Sequence, residues 1–456
     1  MVDGLGEGDE AAQAAADRDR RRHARLILDA AIGAADPGEC VRRSLELADG
    51  ALTIGGKAHP LTSTSRIRVV GAGKATPSMA QAVEPLLGRH LDGGVINTKY
   101  GHTLPLEHIH TVECGHPIPD QAGVEGANQI LACLEDLAPD DLVLCLLSGG
   151  GSALLPAPAK GLTLADKQDT TARLLECGAS IDEVNAIRKH LSCLKGGQLA
   201  RHASPARLVT LAISDVIGDV PDTIASGPTV ADPSTFEDSL QLLDRYNLRE
   251  RIPSSVRNHL EAGALGQRPE TPSDASQLPP NSYHVIGTNT LSIEAASAVA
   301  AECGYEPRIL SSTIAGETRH VAADHIEQGL QVVIDSQPTA PPACLISGGE
   351  TTVTLSANPG KGGRNQEFAL AAAIALEGRH RITVLSAGTD GTDGPTDAAG
   401  AIADGLTVER GRQLGLSAAD HLARNDAYPF FDALKDLVIT GPTGTNVMDL
   451  RLVLVH

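Results

Sequence analysis

The sequence predicts an α/β protein with two α/β domains, the first of them a doubly wound sheet. One observation behind this is that six short apolar runs each stop at a glycine-rich or polar turn. Arg68-Val69-Val70 leads into Gly71-Ala72-Gly73-Lys74, Leu142–Leu147 into Ser148-Gly149-Gly150-Gly151-Ser152, and Leu208–Ile213 into Ser214-Asp215. Cys344–Ile346 leads into Ser347-Gly348-Gly349-Glu350, Ile382–Leu385 into Ser386-Ala387-Gly388-Thr389-Asp390-Gly391, and Leu437–Ile439 into Thr440-Gly441-Pro442-Thr443-Gly444. Continuous apolar runs of this kind suit strands buried on both faces of a parallel sheet, whose ligands bind beyond the carboxyl ends of the strands. A second observation is the alternation of strand-like and helical runs from about residue 66 to 230, the βαβα rhythm of a doubly wound sheet. The third is size, since 456 residues exceed the usual reach of one hydrophobic core.

Residues 10–34 set Ala, Leu and Ile at helical spacing among Arg and Asp and predict one helix, with the first dozen residues disordered. Strands are expected at 67–70, 94–97, 142–147 and 208–213, and helices at 77–87, 124–137, 164–177 and 181–191. Between Gly263 and Asn281 the chain turns Pro-, Ser- and Gln-rich and loses its period, which marks a linker. The expected domains are therefore 1–265 and 282–456, joined by 266–281. Beyond the linker, strands are expected at 283–286 and 307–310 and helices at 292–303 and 316–327, followed by the three later glycine-terminated runs.

Composition narrows the function. With five Tyr, four Phe and no Trp, a stacking platform for single-stranded nucleic acid is hard to build, and a net charge of −20 repels polyanions. Nucleic acid is therefore not an expected partner. The eight cysteines are dispersed, with no C-x-x-C pair and no His-rich zinc spacing; Cys145 and Cys344 lie in apolar runs and read as small buried hydrophobes. No run has membrane-spanning length and the first residues lack a signal-peptide core, so a soluble protein of the reducing cytoplasm is expected.

The turns carry the candidate chemistry. Gly71-Ala72-Gly73-Lys74 is not a Walker loop, because Arg68 stands where the first glycine belongs and Ala75 where a hydroxyl belongs. What remains is a strand, a glycine turn and a lysine at a helix start, which aims amides and an ammonium at an anion, or else a tight turn with a solvated lysine. Gly149, Gly150 and Gly151 suggest close approach of a phosphate, with Ser148 or Ser152 as a nucleophile the lesser alternative, since the G-x-S-x-G elbow is lacking. Asn185, Arg188, Lys189, Ser192 and Lys195 form a polar stripe that is either a binding face or a solvated one.

Asp215, Asp390 and Asp393 are hard oxygen ligands on loops, suited to Mg²⁺ on phosphates, with Asp397 the weaker member and Ca²⁺ the runner-up. Arg364, preceded by Gly362-Gly363 and followed by Asn365 and Glu367, is placed for bidentate contact with a carboxylate or phosphoryl group. His116, braced by Pro117 and Pro119, reads as a base or, more plainly, as structural.

Together, Gly71–Ala75, Gly115–Asp120, Ser148–Leu155, Asn185–Lys195 with Gly196-Gly197, Ser214–Val216, Ser226–Thr229, Ser347–Val353, Gly362–Glu367, Thr389–Gly400 and Thr440–Asn446 closely resemble the glycerate 2-kinase family, the class II glycerate kinases with a carboxy-terminal MOFRL domain. The resemblance implies ATP- and Mg²⁺-dependent phosphorylation of D-glycerate to 2-phosphoglycerate. It also implies a cleft between a Rossmann-like first domain and a smaller second one, and allows a homodimer. Lys74, Arg364 and Asp215 are then the expected catalytic residues, with Asp215, Asp390 and Asp393 at the metal. Gly71, Gly73, Ser148, Gly149, Gly150, Gly151, Ser152, Asn185, Arg188, Lys195, Asn365 and Glu367 are expected to bind substrate or nucleotide. A hydroxypyruvate reductase is the alternative, weakened by Thr76 at the third glycine position of a dinucleotide fingerprint and by Asn97 where an acidic residue would meet the ribose. A non-catalytic small-anion binder is the other.

Overall fold

The computed structural model describes residues 7–456 except 49 and 63, with side chains from residue 16 onward. The chain packs as two compact units, one of residues 37–287 and one of the chain up to Asp36 with residues 288–456. This division differs from the expected one at both ends. The supposed linker folds back on the first unit, where Pro272 O accepts the Asp232 amide at 2.8 Å. The strand after it, Asn281–Gly287, completes the first sheet. Thr288 then caps the next helix, accepting from the Leu291 amide.

The first unit opens with a small antiparallel meander, β1 (Leu45–Ala48), β2 (Ala51–Ile54) and β3 (Lys57–Pro60). Six parallel strands follow: β4 (Ile67–Ala72), β5 (Leu91–Lys99), β6 (Ile109–Cys114), β7 (Leu142–Leu147), β8 (Arg207–Ile213) and β9 (Asn281–Gly287). Their spatial order is β6-β5-β4-β7-β8-β9. Counted along the sheet's own strands this is 3-2-1-4-5-6, the doubly wound order whose ligand crevice opens where the winding reverses, between β4 and β7. Every residue of β7 is buried, as an all-apolar strand covered on both faces requires.

In the second unit the sheet is mixed. β10 (Glu306–Ile314) and β11 (Ala343–Gly349) are parallel, whereas β12 (Ile382–Gly388), β13 (Gly400–Asp404), β14 (Leu437–Val438) and β15 (Asp449–Val455) pair antiparallel in the order β10-β11-β15-β12-β13-β14. The expectation of parallel strands throughout fails here, because an apolar run reports burial on two faces and not the direction of its neighbour. β11, β12 and β15 are buried along their whole length.

The first helix, Glu7–Ala34, belongs to this second unit. Ala24, Ile27, Leu28 and Ala31 are buried in its core, and Arg21 meets Asp404 at 2.6 Å and Asp436 at 2.7 Å. The helix begins earlier than expected, so residues 7–12 are helical rather than disordered, as Ala-rich sequence favours, and residues 1–6 of that expectation lie outside the described residues. Among the described residues no helix is long and apolar enough to cross a membrane.

Candidate active site

At the point where the first sheet reverses its winding, the turns after β4 and β7 are laced together. The Lys74 amide donates to Gly149 O at 3.0 Å, and Ser148 N donates to Ala72 O at 3.2 Å. Ser148 Oγ accepts from the Ala75 amide at 3.0 Å and lies 3.2 Å from Thr76 Oγ1. Gly73 has φ +152°, and a Cβ there would lie 2.0 Å from Ser148 Oγ; one on Gly71 would lie 2.0 Å from Leu146 O. These two glycines are therefore required by strand and loop packing, and Ser148 is a buried tie.

Gly150 is left-handed at φ +83°, and a Cβ there would come 2.9 Å from the His116 ring and 3.6 Å from Lys74 Cε. Lys74, His116 and the glycine turn are thus neighbours. The amides of Gly149 and Gly150 donate to no protein acceptor among the described residues, which suits them to an anion.

Beside the turn lies a cavity of about 920 Å³, lined by Gly150–Ala153, His116, Asn185, Arg188, Lys195, Lys167 and Asp215 among others. Lys195 is buried and donates to Ser152 O at 2.7 Å, and Lys167 donates to Leu191 O at 2.9 Å. Neither these two ammonium groups nor the Arg188 guanidinium has a carboxylate ion-pair partner among the described residues. Burial lowers the pKa of Arg188. Burial with the charges of Lys167 and Arg188 holds Lys195 well below the usual lysine range, and burial pushes Lys167 down to about 7. Burial, then Lys74 and Lys99, lowers His116 to about 4, so its imidazole is neutral at pH 7.

Cations with no carboxylate ion-pair partner, set in the wall of a cavity, are poised for an external anion. Lys189 is turned away and pairs with Asp232 at 3.2 Å and Asp222 at 3.3 Å, because adjacent helical residues point about 100° apart. Ser192 Oγ accepts the Leu194 and Lys195 amides and serves the turn. Lys195 itself follows the helix, which ends at His190. Ser152 Oγ lies 2.8 Å from Ser226 Oγ, which donates to Asn185 Oδ1 at 3.0 Å. A relay ending on an amide contains no base, so this arrangement does not make Ser152 a nucleophile.

The second unit gathers Arg364, Asn365, Asp390 and Asp393 near the start of the helix Arg364–Ala375. Arg364 grips Asp449 through Nε at 2.7 Å and Nη2 at 3.0 Å, and Glu350 through Nη1 at 2.6 Å. Against burial, which lowers it, Asp449 and Glu350 hold the guanidinium pKa up. Two of its five N–H donors remain. Asn365 Nδ2 donates to Asp449 at 2.9 Å, and its Oδ1 accepts from Ser386, so its amide is committed within the fold.

Asp393 departs from its expected place at a metal. It is buried, and its two oxygens accept the Asn365 and Gln366 amides at 3.0 and 2.8 Å, capping the helix from outside. Burial pushes its pKa up to about 7 against those hydrogen bonds. Glu367 is likewise buried, between Arg319 at 2.7 Å and Asn425 at 2.9 Å, and has a structural role. Asp390 is half-buried and accepts the Thr392 amide at 3.0 Å. Among the described residues no group of His, Cys, Asp and Glu forms a ready-made metal centre.

Sequence reasoning missed Lys167, Glu350, Asp449 and Arg451. Asp449 and Arg451 carried a signal, since two charges inside a final apolar strand are costly unless paired, and they pair at 3.0 Å. Lys167 carried none, being one cation among the polar residues of a surface-patterned helix.

A doubly wound unit with a cavity lined by Lys167, Arg188 and Lys195 beyond its switch point, joined in sequence to a mixed α/β unit, defines a two-domain α/β class of protein. Residues 23–261 match a family described as a domain of unknown function, DUF4147, and residues 343–449 match the MOFRL family. A Pyrococcus horikoshii glycerate 2-kinase is 40% identical over 94% of this chain and 96% of its own. An Agrobacterium vitis protein with the provisional name hydroxypyruvate reductase is 41% identical over 95% of this chain and 94% of its own. The crystal structure of a Thermotoga maritima glycerate kinase superposes with a TM-score of 0.86 at 38% identity, covering 96% of this chain and all of that one. This chain belongs to the glycerate 2-kinase family, with its DUF4147 and MOFRL domains in order.

Proposed function

We propose that the protein transfers the γ-phosphoryl group of ATP to the 2-hydroxyl of D-glycerate, giving 2-phosphoglycerate and ADP. Support comes above all from the cavity beside the Gly149–Ser152 turn, where Arg188, Lys195 and Lys167 face a ligand space without carboxylate partners. In the transfer the γ-phosphorus to bridging-oxygen bond of ATP breaks, the hydroxyl oxygen of glycerate forms the new bond, and its proton leaves. Such a reaction demands positioning and charge neutralisation more than covalent chemistry.

The free amides of the glycine turn hold polyphosphate oxygens, and Lys74 neutralises the transferring group or the substrate carboxylate. Arg364, oriented by Asp449 and Glu350, uses its two remaining N–H groups on the charge that develops during transfer. Asp215, on the cavity wall, would hold Mg²⁺ directly or through water, whereas the two oxygens of Asp393 are taken up by helix amides. Bound there, the ion would neutralise phosphate charge while keeping most of its waters.

The reductase alternative meets an obstacle at Asn97. This residue lies near the carboxyl end of β5, two positions before its last residue Lys99, in the region where a ribose-binding carboxylate belongs; it is buried and donates to Gly123 O at 3.1 Å and Leu154 O at 2.7 Å. A coupled assay of ADP release with D-glycerate, L-glycerate, hydroxypyruvate and tartrate tests the proposal, run beside NADH oxidation with hydroxypyruvate. Release of ADP with D-glycerate is expected. NADH oxidation without ADP release would replace the kinase by the reductase, and neither signal would leave a binding protein.

A further inference from the structure

The cavity is larger than a three-carbon acid needs, and aliphatic side chains stand in its wall among polar ones that include Asp169. Gln168, Thr171, Ala172 and Leu175 lie at i, i+3, i+4 and i+7 on the helix Leu164–Glu176 and line it together. Across from them, the helix Ile181–His190 contributes Ile181, Asn185 and Arg188, again one face at i, i+4 and i+7. Leu175 is 58% and Ile181 54% exposed, an unusual outlay of aliphatic surface beside three cations. Along that second helix the wall runs from aliphatic to amide to guanidinium over about 10 Å at 1.5 Å per residue. That gradient is the polarity profile of an adenine nucleotide extended from base to phosphates. Glycerate has neither the length nor an apolar face to match it.

We propose that the slot between these two helices seats the adenine ring of the nucleotide, with the polyphosphate on Arg188 and Lys195. The assignment rests on the kinase reading for its choice of nucleotide. Leu175 and Ile181 sandwich the ring in place of the aromatic groups this chain lacks. Gln168, held at its amide nitrogen by Pro119 O at 2.7 Å, stands seven residues from Leu175 on the same helix, about 10 Å away, and so lines the slot beyond the ring. The volume falls within the range of sites for drug-sized ligands.

Calorimetric titration of ADP, inorganic tripolyphosphate and D-glycerate into the full chain tests this with Ala172→Phe, which fills the slot, and Leu175→Ala, which truncates an exposed side chain. ADP affinity is expected to fall at least tenfold in Ala172→Phe and severalfold in Leu175→Ala, while tripolyphosphate affinity stays as in the parent. Parent-like ADP affinity in both variants overturns the proposal, as does a fall in glycerate affinity with ADP untouched. If tripolyphosphate binding is lost along with ADP in Ala172→Phe, Leu175→Ala decides, since an exposed truncation leaves the helix in place. Should the parent bind ADP in this slot yet phosphorylate no glycerate, the kinase reading fails and the slot stands. Should it phosphorylate glycerate with ADP affinity indifferent to both variants, the reverse holds.

Discussion

Lys74 and Arg188 occupy one neighbourhood with opposite surroundings. The Lys74 turn is glycine-bound and close to His116, whereas Arg188 is half-buried in the cavity wall. Replacing either by Ala is expected to lower kcat/KM for phosphorylation by about 10²-fold or more, as removing a charge-stabilising donor does, with unchanged circular dichroism. Near-normal steady-state rates in both would remove them from the machinery. Lys167 yields a pH prediction. Burial, only partly offset by Cys193 and reinforced by Arg188, brings it to about 7, while an unfolded lysine keeps its proton to about 10.4. Between those values the unfolded chain binds the extra proton, so this residue makes stability rise with pH from about 7 to 10; below 7 the cost of its buried charge is felt in full. Lys167→Met is expected to flatten that part of the dependence of Tm on pH, and an unchanged slope would contradict it. A polyphosphate bound in the cavity favours the charged ammonium, so ATP binding at pH 8 should take up protons. This would appear as a binding enthalpy that varies with the ionisation heat of the buffer.

At the scale of elements, the helix Arg364–Ala375 depends on a carboxylate from a distant loop. Asp393 receives two amides at its start, and Gly363 leaves the space, since a Cβ there would lie 2.3 Å from Asp393 Cγ. Asp393→Ala strands two donors at about 1–3 kcal/mol each, so chemical denaturation should show a loss of roughly 2–6 kcal/mol in the second unit. Loss of Mg²⁺ dependence with unaltered stability would instead restore a metal role. Helices and buried strands were largely legible from period and from glycine punctuation. The mixed pairing of β12, β13 and β15 was not, because hydrogen-bond direction leaves no trace in an apolar run. Nor was the fate of individual polar residues: Asn365, Glu367 and Lys189 sit in promising motifs, yet each is bound to partners dozens of residues away.

For the molecule as a whole, the chain's first helix closes the core of the last unit rather than the one that follows it. Deleting residues 1–36 uncovers the surface packed by Ile27 and Leu28 and leaves Asp404 and Asp436 without Arg21. Limited proteolysis of that truncation is expected to degrade residues 288–456 while sparing 37–287; the opposite order of cleavage would refute the assignment. The sequence by itself determined the α/β class, the strand ends where ligands are met, and the family, because apolar period, glycine and motif order are local properties of the chain. Only the tertiary structure decided that the stripe from Asn185 to Lys195 divides into cavity cations and a structural ion pair. The same holds for Asp393 capping a helix and for the first helix crossing to the far unit. Each of these depends on which partner a buried polar or apolar group finds, and that partner lies far along the chain.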